Sequence, residues 1–255
     1  MDEQSINSAA PVNTLSPLEL TGRARTHVQS VAELGCVLHP QAASALLAMR
    51  SAAREEGLEL AAVSGFRDLG QQLAIWNGKF LGARALLGAD SRPLQARDLS
   101  ETERVAAILV WSALPGASRH HWGSDCDVID RKALAPGERV ELISTDFGPG
   151  GRYARLASWL SGHAHHYGFF LPYDRDRGGV QPEPWHLSFA PVSGPALSAM
   201  SEELLAEALS GVELQGRATV LAELPRLYQR YVAAVARPPD AALAALGLSR
   251  AARLA

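Results

Sequence analysis

The chain has 255 residues and a mass of 27.2 kDa, with 47% hydrophobic residues and a formal net charge of -3. That length and apolar content allow a full core and exclude a disordered chain, and the lack of a basic surplus excludes a nucleic-acid partner held by bulk electrostatics. Only two cysteines occur, Cys36 and Cys126, with no CxxC pair, so neither a disulfide framework nor a thiolate-rich structural metal site is expected.

Residues 1 to about 20 are polar and contain proline and serine, which predicts a loose N-terminal arm. They lack the basic and apolar regions of a secretory signal, and no run approaches the roughly 18 apolar residues of a membrane span. The sequence as written therefore predicts a cytoplasmic protein, or a periplasmic one if the true start lies elsewhere. From Pro40 to Gly57 apolar residues recur at helical spacing, and the glycine closes the segment as a C-cap. LELAAVSGF predicts a buried strand ending at Gly65, and DLGQQLAIWNGKFL a helix after it. A turn-rich stretch follows, and then SETERVAAILVWSAL, a helix with Ser100 as cap, Glu103 three residues on, and Pro115 as its stop.

DCDVIDRKAL predicts a strand, ERVELIS is a short apolar stretch, FGPGG a turn, and RYARLASWLSGHAHHYGFF a helix. The polar loop PYDRDRGGVQPEP delivers the chain to WHLSFA, a last core strand. Beyond Pro195 the pattern is helical and rich in alanine, leucine and glutamate, which divides the chain into a main domain over 21–194 and a helical extension over 195–255. Strands and helices mix without a regular βαβ rhythm, so the fold class expected is α+β. No GxGxxG or Walker motif points to a nucleotide.

Residues 118–130, SRHHWGSDCDVID, hold two histidines, three aspartates and a cysteine around one glycine. A catalytic zinc site takes three protein ligands and leaves one position open. His120 and Asp127 can supply two of them, because Gly123 between them permits a turn that points both side chains at one centre. Strand parity sets Asp125 and Asp127 on one face and Cys126 on the other. The third ligand and a base are available in EPWH, as His186 and Glu183. Pro184 makes that segment a rigid turn into a strand, unlike a helical HExxH motif. In this scheme Glu183 takes a proton from the water that the metal activates and passes it to the leaving amine.

These segments carry a resemblance. SRHHWGSDCDV is similar to the SxHxxGxAxD signature of the VanY-type D-alanyl-D-alanine carboxypeptidases, zinc peptidases related to the VanX dipeptidases and the hedgehog signalling domain. EPWH matches their ExxH, and SGFRDLGQQ resembles their SGYRSxxxQ segment, in the expected order over roughly residues 35 to 190. The resemblance implies a hedgehog/DD-peptidase-like antiparallel sheet core with flanking helices. It also implies Zn2+ held by His120, Asp127 and His186, with Glu183 as catalytic base. Arg67 resembles the family arginine that holds the substrate or its oxyanion, and Gln72 and Ser118 look like substrate-site residues. Asp125 stands where the signature has a small residue, so it is expected to line the site, order a ligand or bind an incoming amine.

The implied substrate is a peptidoglycan-derived peptide from which terminal D-alanine is released. An L,D-carboxypeptidase, a D-Ala-D-Ala dipeptidase, a cell-wall endopeptidase and a non-catalytic zinc-containing binding module are the alternatives on the same residues. Other features weigh less. Cys126 lies opposite the carboxylates and is a poor candidate nucleophile. His121 is expected to neighbour the site without ligating, and His163, His165 and His166 to be solvated or packed. Trp122 and Trp185 serve equally as site walls or core. Neither the oligomeric state nor the purpose of residues 195–255 can be read from the pattern.

Overall fold

In the computed structural model, which describes residues 14–244, helices and short strands alternate irregularly. The order is α1 (Pro17–Leu20), β1 (Gln29–Val31), β2 (Cys36–Leu38), α2 (Pro40–Glu55), β3 (Leu60–Ser64), α3 (Leu69–Phe80), β4 (Leu86–Leu87), β5 (Pro93–Leu94), α4 (Glu101–Leu109), β6 (Asp125–Asp130), α5 (Ser144–Phe147), α6 (Ala154–His163), β7 (Phe169–Phe170), β8 (His186–Phe189), α7 (Ala190–Ala199), α8 (Glu202–Ser210), α9 (Arg217–Ala222), α10 (Leu224–Tyr228) and α11 (Asp240–Ala244). The fold is α+β, and the sheet that carries the site has the order β3-β6-β8-β7 with every pair antiparallel.

Two alternating segments explain that sheet. In β6 polar and apolar residues take turns over Asp125–Val128, and in β8 (HLSF) throughout, so over these stretches each strand offers one polar and one apolar face. The register sets Asp125 opposite Ser188, Cys126 opposite Leu187 and Asp127 opposite His186. Asp125, Asp127, His186 and Ser188 therefore meet on one face, while Cys126, Val128, Leu187 and Phe189 go to the core side, each 3% exposed or less. A bulge between Ala62 and Ser64 shifts β3 by one residue, so that Ser64 falls opposite Asp127. Just beyond it, a Cβ on Gly65 would meet the Val37 carbonyl oxygen at 2.6 Å, so β2 can approach only because this residue is glycine.

The helices start where capping chemistry permits. Ser100 and Glu103 form the expected capping box at α4, and Asp68 with Gln71 forms another at α3. A third box, Ser16 with Glu19, starts α1 inside the expected loose arm, and Leu15 and Leu20 are buried, so residues 14–20 are ordered structure. The rest of that arm, residues 1–13, lies outside the described residues. The helical reading of 152–170 is also corrected: α6 ends at His163, a short 3-10 turn spans Ala164–Tyr167, and Phe169–Phe170 pairs with β8 as a strand.

Residue 194, drawn as a boundary, falls inside α7. Leu205, Leu209, Val220, Leu224 and Leu227 beyond it share one core with Trp76, Leu46 and Val128. Backbone and side-chain bonds tie the two parts together. Trp76 Nε1 donates to Gln215 O at 2.9 Å, and Asn77 exchanges bonds with Glu213 O and Gln215 N. Among the described residues no helix is long and apolar enough to cross a membrane.

Candidate active site

Asp127 and His186 are cross-strand neighbours on the polar face, and His120 reaches them from the 3-10 turn Arg119–Trp122 that precedes β6. One ligand atom from each of the three residues lies within 4.8 Å of the others. His120 Nε2 is 3.6 Å from Asp127 Oδ2, and His186 Nδ1 is 3.2 Å from Asp127 Oδ1. Each imidazole is anchored through its other nitrogen: His120 Nδ1 donates to Gly65 O at 2.8 Å, and His186 Nε2 to Asp125 Oδ2 at 2.9 Å.

The group has the composition of a site for a divalent metal. It offers two nitrogens and one carboxylate, all buried, and Asp127 Oδ1 has no aligned hydrogen bond among the described residues. Burial and the nearby Arg67 charge push His120 down to about 3, which keeps it in the neutral form that ligates. Burial also lowers His186, but bonds to Asp125, Asp127 and Glu183 outweigh it and hold its pKa well above the ordinary value. Three carboxylates around one imidazole are an environment for positive charge, whether a proton or a metal supplies it.

Glu183 adjoins the centre, with Oε2 3.3 Å from His186 Nδ1. Its backbone N–H donates to Tyr173 O, and its carbonyl accepts from His186 N–H, both at 3.0 Å, so the turn through Pro184 and Trp185 is closed at both ends. Burial, opposed in part by His186, raises its carboxyl above the ordinary carboxylate range, the direction suited to a group that accepts and returns a proton near neutrality. Tyr173 sets its ring edge-on to His186, 5.0 Å between centroids, and burial pushes its hydroxyl up to about 12, so it stays a donor. Tyr173 sits in a polar loop without periodicity, and no sequence pattern points to it.

A cavity of about 660 Å³ opens onto the centre, lined among others by Arg67, Ser118, Tyr173 and Trp185. Trp185 stacks on Trp111, another lining residue, whereas Trp122 is fully buried in the core and donates Nε1–H to Leu20 O. Arg67 is held by Gln72 Oε1 at 2.9 Å and Ser64 Oγ at 3.1 Å.

Two expected substrate residues are placed differently. Gln72 is fully buried away from the cavity lining; its amide spans Arg67 Nη1 and Ala113 O, so it orients the arginine. Asp125 is also fully buried. Its Oδ2 accepts from Arg119 Nε and His186 Nε2, and its Oδ1 from Ser124 Oγ and Ser188 Oγ. With its acceptor sites filled from four donors it has none for an incoming amine, and of the roles expected for it ordering a ligand is the one the geometry matches. Burial opposes ionisation of Asp125, but Arg119 and His186 hold it well below the usual carboxylate range.

His121 ligates nothing. Fully buried, it donates Nδ1–H to Arg67 O at 2.6 Å and accepts Gly116 N–H at Nε2, so it fixes the backbone that carries Arg67. Gly22, at φ +71, packs against it so closely that a Cβ would meet His121 Nδ1 at 2.4 Å. Gly22→Ala is expected to cost about 2–4 kcal/mol, from left-handed strain plus overpacking, and to raise KM through Arg67. Gly35→Ala, at φ +65 in open space, carries only the strain; equal denaturant midpoints for the two variants would contradict the close contact. Both cysteines are free, and burial pushes the Cys126 thiol well above its ordinary value, which suits packing and not nucleophilic attack. His163, His165 and His166 form a ring cluster near Trp159 and Glu56, apart from the centre.

A buried His/Asp/His group with a glutamate beside it and an arginine on the wall of one cavity is an arrangement suited to metal-assisted hydrolysis, and the family match gives the class, the carboxypeptidases. Residues 35–192 match the family model described as VanY, D-alanyl-D-alanine carboxypeptidase, and the chain belongs to that family. An uncharacterised Haemophilus influenzae protein is 30% identical over 121 residues, 47% of this chain and 92% of that protein. The putative carboxypeptidase YodJ of Bacillus subtilis is 31% identical over 155 residues, 60% of this chain but 46% of YodJ. Among solved structures, VanYB in complex with D-alanine-D-alanine is similar at a TM-score of 0.49 and 18% identity, covering 75% of this chain and 92% of that one. The LdcB LD-carboxypeptidase is similar at 0.47 and 23%, covering 76% and 82%.

Proposed function

We propose that the protein is a zinc-dependent carboxypeptidase that hydrolyses the C-terminal peptide bond of peptidoglycan stem peptides and releases D-alanine. The observation that carries this reading is the convergence of His120, Asp127, His186, Glu183 and Arg67 on a single cavity. His120, Asp127 and His186 hold the zinc. When bound, zinc supplies Lewis acidity that polarises a carbonyl and acidifies water.

The chain's own residues do the rest. Glu183, buried beside His186, takes the proton from the attacking water and returns it to the leaving amine. Arg67, fixed by Gln72 and Ser64, presents a rigid guanidinium to negative charge, either the terminal carboxylate or the oxygen of the tetrahedral state. Tyr173 and Ser118 add neutral donors to the wall. The apolar pair Trp111 and Trp185 excludes water from one side of the cavity.

The test is metal content together with D-alanine release from a muramyl-type pentapeptide. About one zinc per chain and chelator-sensitive release are expected. Zinc without release from this peptide would overturn the D,D assignment and turn attention to tetrapeptides and free dipeptides. Absence of zinc after purification without chelators would overturn the metallopeptidase reading altogether.

A further inference from the structure

We propose that Asp125 is a positioning residue that fixes the ring orientation and tautomer of His186, so that Nδ1 is the nitrogen offered to the metal. The inference rests on the zinc reading above and adds a residue to it. His186 Nδ1 faces the centre, 3.2 Å from Asp127 Oδ1 and 3.3 Å from Glu183 Oε2, while Nε2 faces away, 2.9 Å from Asp125 Oδ2. A ligating imidazole is neutral and carries one N–H, which must sit on the nitrogen remote from the metal. An ionised carboxylate only accepts, so Asp125 assigns that proton to Nε2 and leaves the Nδ1 lone pair free.

Asp125 is itself held in place. Arg119 Nε donates to Oδ2 at 2.7 Å, Ser124 and Ser188 donate to Oδ1 at 2.5 and 2.9 Å, and Arg119 lies over the rings of Trp122 and Phe170, 4.8 and 5.9 Å from their centroids. The register sets the geometry, because Asp125 and Asp127 share a strand face and flank His186 from its two sides. The two histidines are thereby made unequal: His120 leans on the neutral carbonyl of Gly65, His186 on a carboxylate, the stronger means of raising ligand basicity. The SxHxxGxAxD signature has a small residue where this chain has Asp125, so the signature itself does not carry this bond.

The experiment uses the full chain. Long-range proton–nitrogen correlation of the histidine rings in the zinc-loaded wild type is expected to show His186 protonated at Nε2 and metal-bound at Nδ1. Zinc affinity is measured by competition with a chromophoric chelator. Asp125→Asn keeps an acceptor oxygen and should preserve the tautomer while weakening zinc by up to about tenfold. Arg119→Met combined with Asp125→Ala removes the buried pair together, so no lone charge is left behind, and should weaken zinc roughly 10–100-fold with the thermal unfolding of the zinc-free protein preserved.

Zinc bound through Nε2 in the wild type, or a folded double variant whose affinity stays within about twofold of wild type, overturns the role given to Asp125 and leaves the zinc reading standing. If the double variant does not fold, the wild-type ring assignment and the Asp125→Asn affinity decide the matter. A wild type that binds no zinc overturns the zinc reading and this inference with it.

Discussion

Glu183→Ala is expected to lower kcat on the order of 10²–10⁴-fold while the protein keeps its metal. The carboxylate lines the cavity beside the centre and is not needed to bind the ion: His120, Asp127 and His186 complete the set of three protein ligands a catalytic site uses. Truncation removes the proton carrier and leaves those three in place. Burial holds the Glu183 carboxyl above its ordinary range, so the wild-type rate should fall as pH drops through that raised value, because the base must be ionised to act. Single-turnover assays beside metal analysis check this; loss of zinc in Glu183→Ala would make the glutamate a ligand and remove it as the base.

His120→Ala is expected to fail in the opposite manner, losing the metal first and activity with it. Two ligands remain, below the number that holds a catalytic zinc, and activity should fall to background even with the glutamate intact. The change also strips the buried Gly65 carbonyl of its partner, at a cost of about 1–3 kcal/mol to the zinc-free fold. Zinc stoichiometry after dialysis and denaturant unfolding of the zinc-free protein test the two parts separately. A variant that retains full zinc would remove His120 from the ligand set.

Much of this site could be read from the chain because its chemistry is written in short-range order. Asp125–Val128 of DCDVID and the four residues of HLSF alternate with the period of a strand, so pairing them in one register collects Asp125, Asp127, His186 and Ser188 on one face. What escaped notice depends on long-range packing. Gln72 lies in a helical segment whose sequence does not say which way its amide turns, and the structure turns it inward to hold Arg67. Asp125 differs from Asp127 in environment, not in parity: Arg119, six residues earlier, joins His186, Ser124 and Ser188 in filling its acceptors.

Tyr173 gave no signal, because a loop has no period to read. The stretch ERVELIS was visible only as an apolar run, and its Glu141, Leu142 and Ile143 prove to line the cavity. The burial of Leu20 in the expected arm and of Leu205 past the boundary drawn near 194 was not legible for a related reason. Pro/Ser content and a change of composition describe local polarity, whereas burial of Leu20 and Leu205 depends on what packs over them.

The clasp formed by Gly22, His121 and Trp122 bears on how the enzyme can be divided. The stretch matched to the family runs from 35 to 192, yet the turn bearing His120 is buttressed from residues 20–22: Trp122 donates to Leu20 O, and Leu69 N–H, just after Arg67, donates to Gly22 O at 2.8 Å. On the other flank Trp76 needs Gln215 as its acceptor. A fragment trimmed to the matched residues would have severed ends through its interior, with an indole N–H stranded on each side. The smallest transplantable unit of this chain is therefore expected to be larger than its stretch matched to the family, and a graft onto another protein to need both flanks.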